Sequence, residues 1–135
     1  MILLGVDFGF KRIGLALTDS EVGLPQPLQP IAAAGALKKD ANVISELAKK
    51  HKAQEIVVGL PIDPEGEEGR MAKVCRQLGG HLEGHGFNVH FVDESMSSAT
   101  SEAQMIGAGM KGSVIKRRLD SEAAAVILER YLRGA

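Results

Sequence analysis

Ile2-Leu3-Leu4-Gly5-Val6-Asp7-Phe8-Gly9-Phe10-Lys11-Arg12-Ile13-Gly14-Leu15-Ala16-Leu17 is the stretch that decides the fold. An apolar run ends on a carboxylate, a glycine follows two residues later, then two cations, and an alternating apolar pattern resumes at Ile13. This predicts a strand over Ile2–Asp7, a tight turn, and a second strand over Arg12–Asp19. Asp7 then closes a strand beside a turn opened by Gly9 and carrying Lys11 and Arg12. A carboxylate in that position can hold a cation, and the two basic residues can hold a phosphate. Each also has a plainer reading: Asp7 as a turn former, Lys11 and Arg12 as solvated turn charges.

The bulk properties allow such a site without requiring it. The 135 residues suit one domain, 1–135, with a true core. Hydrophobic content of 44% and charged content of 24% are those of an ordinary globular chain. A formal charge of −1 excludes a uniformly basic nucleic-acid binder, so any grip on phosphate must be local. One cysteine excludes a disulfide framework and a four-cysteine zinc site, and fits a reducing cytoplasm. No basic region precedes the first apolar run and Asp7 interrupts it, so no signal peptide is expected. No run approaches the roughly 20 apolar residues of a membrane helix, so no membrane partner is expected.

Further along, Leu28–Ile31 reads as a short third strand, irregular because of Pro25, Pro27 and Pro30. Leu37–His51 is helical, with Leu37, Ala41, Ile44, Leu47 and Ala48 in one stripe. Glu55–Val58 is a buried strand halted by Gly59-Leu60-Pro61, and Asp63–Gly66 is a turn-rich loop. Glu67–Leu82 is a helix with acids in its first turn, where the dipole favours them, and with Met71, Val74, Cys75, Leu78 and Leu82 inward. Gly84 and Gly86 end it. Phe87–Val92 is a fifth strand, Ser97–Ile106 a helix, Gly107–Ser113 a glycine-rich link, and Asp120–Leu132 the last helix. Three tightly linked strands should be antiparallel, and the later ones, separated by helices, parallel. The expected fold class is α/β: a five-stranded mixed sheet with helices on both faces.

Two further acidic positions could join Asp7. Asp93-Glu94 follows the fifth strand, and parallel strands put their C-terminal ends along one edge. Asp120 starts the last helix, where it could equally be an N-cap. Carboxylates meeting at one point repel, and a hard divalent cation removes the conflict; all-oxygen ligation suits Mg²⁺ or Mn²⁺. Such ions can activate water and stabilise a leaving oxygen in phosphodiester cleavage. Lys111, Lys116, Arg117 and Arg118 form a basic segment near Asp120 that could grip a nucleic-acid backbone or remain a solvated surface. Arg70, Lys73 and Arg76 read as a solvated helix face. His81 and His85 have the spacing of a metal pair but lack a third ligand. Cys75 reads as a small core residue. No tryptophan, one tyrosine and four phenylalanines give little support for extended aromatic stacking.

The opening block, Ile56-Val57-Val58-Gly59-Leu60-Pro61, Val92-Asp93-Glu94, and the closing Leu119-Asp120-Ser121-Glu122-Ala123-Ala124-Ala125-Val126-Ile127-Leu128-Glu129-Arg130-Tyr131-Leu132 together resemble the YqgF/RuvX family. The resemblance runs almost end to end. It implies a ribonuclease H-like fold. It also implies a metal-binding carboxylate triad at Asp7, Glu94 and Asp120, selecting Glu94 over Asp93, and a nuclease role in maturing the 5′ end of pre-16S ribosomal RNA. Gly9, Lys11, Arg12, Lys116 and Arg117 would then contact the substrate. Two positions depart from the family pattern: Ser95 replaces the usual Arg, and Phe10 stands where Thr or Ser is common. The expected partner is nucleic acid, a structured RNA precursor or alternatively branched DNA such as a Holliday junction. A two-fold symmetric junction would suit a homodimer; otherwise a monomer suffices. Two competing classes remain at this stage. One is a kinase-like ATPase, since the Asp-x-Gly turn also occurs in the actin/hexokinase class, although those proteins need two such domains. The other is a non-catalytic RNA-binding module.

Overall fold

The computed structural model describes residues 1–62, 68–94 and 112–134, the first nine of the last segment by backbone alone. Strands β1 (Ile2–Asp7) and β2 (Arg12–Asp19) pair antiparallel from Ile2↔Asp19 to Asp7↔Gly14. The hairpin follows the alternation in the sequence. Leu4, Val6, Ile13 and Leu15 enter one core, and Leu3 and Ala16 the other.

The expected third strand is not continuous. Two two-residue strands, β3 (Gln26–Pro27) and β4 (Ile31–Ala32), pair with β2 on either side of Leu28–Pro30. Proline has no N–H to give the ladder, so Pro30 interrupts it where the alternation alone would continue. Helix α1 (Leu37–Lys50) buries Ala41, Ile44 and Ala48 as expected, and also Asp40 and Ser45. Asp40 tolerates burial because its Oδ1 accepts the Ala34 N–H at 2.7 Å.

β5 (Glu55–Leu60) lies parallel to β1 and to β6 (Asn88–Asp93), completing the order β3-β2-β1-β5-β6, with β4 off that path. Helix α2 (Arg70–Gly84) starts three residues later than Glu67. Glu68 instead bridges to Ile62, and Gly69 is an extended N-cap, so no acid lies in the first turn. Glu68 is held by Arg76 through two 2.6 Å hydrogen bonds, a side-chain pairing that outcompetes the dipole preference. At the other end His85 caps α2 and Gly86 takes φ +96°, the glycine stop read from the sequence.

Helix α3 (Gly112–Leu132) begins eight residues before Asp120. Asp120 is therefore a helix-interior position and not an N-cap, and Gly112 and Ser113 belong to the helix instead of a link. Helices α1 and α2 cover one sheet face over Leu4, Val6, Ile56 and Val58; α3 covers the other over Leu3, Ala16, Val57 and Val92. Ser95, the Asp63–Gly66 loop, the Ser97–Ile106 helix and Lys111 lie outside the described residues. No described helix is long and apolar enough to cross a membrane.

Candidate active site at the sheet edge

Asp7 ends β1, and Glu94 follows directly on β6. Side chains alternate along a strand. Asp7 shares its face with Leu3 and Gly5, and Glu94 shares its face with Val92; both are on the α3 side. Strands β1 and β6 are separated by β5, so their backbones are about 10 Å apart at the usual spacing. The gap is bridged because the intervening residue is Gly59, which pairs with Val92. A Cβ on Gly59 would lie 2.8 Å from Glu94 Oε2 and 3.0 Å from its Cδ, and would also collide with Ile127. The missing side chain is the space in which the Glu94 carboxyl lies. The Glu94 N–H donates to Leu60 O at 2.9 Å and fixes the start of that side chain.

Asp7 and Glu94 are hydrogen-bonded to each other, and their electrostatics follow from it. Burial pushes the Glu94 carboxyl up to about 10, and the hydrogen bond and negative charge of Asp7 add to the shift. Arg130 acts in the opposite direction; its Nη1 donates to the Asp93 carbonyl at 2.6 Å. Asp93 itself is exposed, so the structure brings Glu94, and not its neighbour, to Asp7. The same charges reach the other side of the sheet. Buried Cys75 has its thiol pushed up to about 12, first by burial and then by Glu94 and Asp7.

The turn beside Asp7 is clamped. A Cβ on Gly9 would sit 2.6 Å from the Arg12 carbonyl, so only glycine fits there. The Ala33 N–H donates to Lys11 O at 3.0 Å, and Arg12 pairs with Ala32. Lys11 is exposed and Arg12 half-buried, both within five residues of Asp7. On the α3 side, Ala124 O and Leu128 press on Gly5, where an added Cβ would lie 2.8 Å and 2.7 Å from them. Position 120 is one helical turn before Ala124, and Gly5 is two residues before Asp7. Ser121 Oγ donates to Leu28 O at 2.5 Å and ties this part of α3 to the segment between β3 and β4. Lys116, Arg117 and Asp120 belong to the α3 backbone; their side chains lie outside the described residues. Among the described residues no three His, Cys, Asp or Glu side chains converge at metal-ligand range.

The remaining features fall elsewhere. Arg76 is held by Glu68 and stacks over Phe91, 5.1 Å from its centroid. His81 and His85 line a groove of about 490 Å³ with Lys38, Lys39 and Asn42, on the face opposite Glu94. His90 Nε2 is 2.8 Å from Glu55 Oε1 and its ring packs 4.9 Å from that of Tyr131. Sequence reading missed Gly59 and Arg130 as parts of the site. Gly59 was legible only as a strand stop, and nothing local distinguishes it from one.

Similar proteins show the family of the chain. The family model "RuvX: Holliday junction resolvase" matches residues 1–134. A protein of Neisseria gonorrhoeae is 38% identical over 133 residues, covering 97% of this chain and 87% of its own. One of Maridesulfovibrio salexigens is 33% identical over 138 residues, covering 100% of both. Both carry the name "Putative pre-16S rRNA nuclease". Among solved structures, Thermus thermophilus RuvC in complex with a Holliday junction substrate superposes with a TM-score of 0.61 at 14% identity, over 99% of this chain and 96% of that one. This last similarity concerns the fold.

Proposed function

The chain belongs to the RuvX family, and from that membership we propose that it is a divalent-metal-dependent endonuclease that hydrolyses phosphodiester bonds in the 5′ leader of pre-16S ribosomal RNA. The observation that carries the reading is the Asp7–Glu94 pair, two carboxyls brought across an intervening strand into mutual hydrogen bonding. Two ionised carboxylates at that separation repel, and a proton or a cation must lie between them. The donor set is all oxygen, which fits Mg²⁺ or Mn²⁺. Asp7, Glu94 and Asp120 would hold the ion. When bound, it supplies Lewis acidity for water activation and for charge on the leaving oxygen.

The chain's own residues do the rest. Asp7 and Glu94 would give up the proton between them to hold the ion, and their carboxyls meet at the sheet edge. Lys11 and Arg12, on a turn clamped at both shoulders, orient the phosphate and offset the charge that develops on it. Lys116 and Arg117 of α3 add sequence-independent grip on the backbone. No side-chain nucleophile is required. Work on a ribosomal RNA precursor would place the protein in the cytoplasm, and a monomer would suffice if Asp7, Glu94 and Asp120 of one copy hold the ion.

The test is cleavage of a pre-16S 5′ leader by the wild type and by Asp7→Asn, with Mg²⁺, with Mn²⁺ and with chelator. Metal-dependent cutting that Asp7→Asn abolishes is expected; equal cutting by both proteins refutes the site. The family description favours a second substrate, a four-way DNA junction. Running that junction beside the RNA decides between them.

A further inference from the structure

Phe10 is 67% exposed, although it lies only three residues from Asp7. An isolated exposed apolar side chain is ordinary, but this one is neither isolated nor loosely held. Its ring meets that of buried Phe8 edge to face, with centroids 5.8 Å apart and planes at 81°. Its backbone sits on the clamped turn, between Gly9, which no larger residue can replace, and Lys11, whose carbonyl is held by Ala33. Beside the ring is a mostly apolar cleft of about 170 Å³ lined by Phe8, Phe10, Ala33, Leu37 and Val74, with Asp40 also in its wall. The volume is well below the roughly 300–1,000 Å³ of sites that enclose a drug-sized molecule. It suits one planar ring and not a whole nucleotide. The Asp40 carboxyl in this wall is held by the Ala34 N–H, which its Oδ1 accepts at 2.7 Å.

We propose that Phe10 is a stacking platform for one unpaired nucleobase adjacent to the phosphate gripped by Lys11 and Arg12. The proposal rests on the nuclease reading above and narrows its substrate: the strand is recognised where a base is free of its partner. The chemistry of the surroundings selects this occupant. An exposed ring and a mostly apolar cleft on the turn that carries Lys11 and Arg12 match a group that is aromatic on one side and anionic on the other. A base in a continuous duplex offers no free face, so paired strands lose this contact. The backbone of Phe10 is already fixed by the turn and its ring already meets Phe8, so less of the stacking energy is spent on ordering it.

The chain has no tryptophan, so Phe10→Trp introduces a single reporter at the site. The probes are an RNA hairpin with one bulged adenosine, the same hairpin fully paired, and DNA versions of both, all with chelator present so that no strand is cut. The bulged hairpins should quench the Phe10→Trp emission and the paired ones should not. Phe10→Ala should bind the bulged hairpin roughly 5- to 150-fold more weakly, the range for losing one base–aromatic stack, with affinity for the paired hairpin unchanged. Lys11→Ala should weaken both hairpins alike. The RNA and DNA arms tell which strand supplies the base. Equal quenching by paired and bulged hairpins, or unchanged affinity of Phe10→Ala for the bulged one, overturns the proposal. Because binding is read without cleavage, a chain that stacks the base but never cuts would refute the nuclease reading and leave the platform standing.

Discussion

Glu94→Gln should stabilise the metal-free protein while destroying its activity. In the folded chain Glu94 keeps its proton to about pH 10, whereas an unfolded Glu ionises at its ordinary value of 4.5. An acid with a raised folded pKa costs nothing below the unfolded value, where both states are protonated. Between those two values the folded state binds the extra proton, and stability falls as pH rises. At 1.36 kcal/mol per pH unit, the penalty at pH 7 reaches about 3 kcal/mol. Glutamine keeps the shape, and its N–H₂ can donate to Asp7 as protonated Glu94 does, but it has no proton to lose. The penalty should vanish. For a chain of this size that is a rise in Tm of roughly 10 °C at pH 7, shrinking to almost nothing near pH 4.5. The assay is thermal unfolding by circular dichroism in chelator from pH 4.5 to 8, followed by repetition with Mg²⁺. Added metal should raise the Tm of the wild type and leave the variant unmoved, and the variant should not cleave. If Glu94→Gln is no more stable than the wild type at pH 7–8, burial does not govern this carboxyl and the argument fails.

Gly59→Ala places a methyl 2.8 Å from Glu94 Oε2 and against Ile127; overpacking of this kind costs about 1–3 kcal/mol. It should also cut cleavage at least tenfold, whereas Gly80→Ala, with open space around it, should do neither; melts and cleavage rates read both. Lys11→Ala should weaken strand binding and lower the slope of log affinity against log salt by about one, measured in a salt titration. Cys75, 1% exposed and with its thiol pushed up to about 12, should resist thiol reagents at pH 8 until the protein unfolds. Rapid labelling of the native protein would show that α2 opens locally.

The elements that were legible in the sequence are those governed by local periodicity. Strands β1 and β2 were found to the residue because alternation and the Gly9 turn agree. The inward stripe of α1 and the glycine end of α2 were also local matters. Misreadings arose where a distant partner overrode a local preference. Glu68 left the first turn of α2 for Arg76. The third strand split at Pro30 because only the ladder to β2 exposes the missing donor. Asp120 read as the first residue of the last helix, with an N-cap role as its alternative, whereas the helix begins at Gly112. Nothing in the sequence singles out Arg130, whose part in the site depends on donating to the distant Asp93 carbonyl.

The sequence by itself determined that carboxylates end strands β1 and β6, that two cations follow Asp7 across a glycine turn, and that the order of elements suits a mixed sheet. Those features depend on neighbours a few residues away. The family resemblance selected Glu94 over Asp93, but only the tertiary structure shows why Glu94 is the one that meets Asp7. That choice depends on which face of β6 packs on α3, and on an intervening strand that carries no side chain at Gly59. A carboxyl pair that must cross a whole strand to touch is a property of three strands in register, and no single segment encodes it.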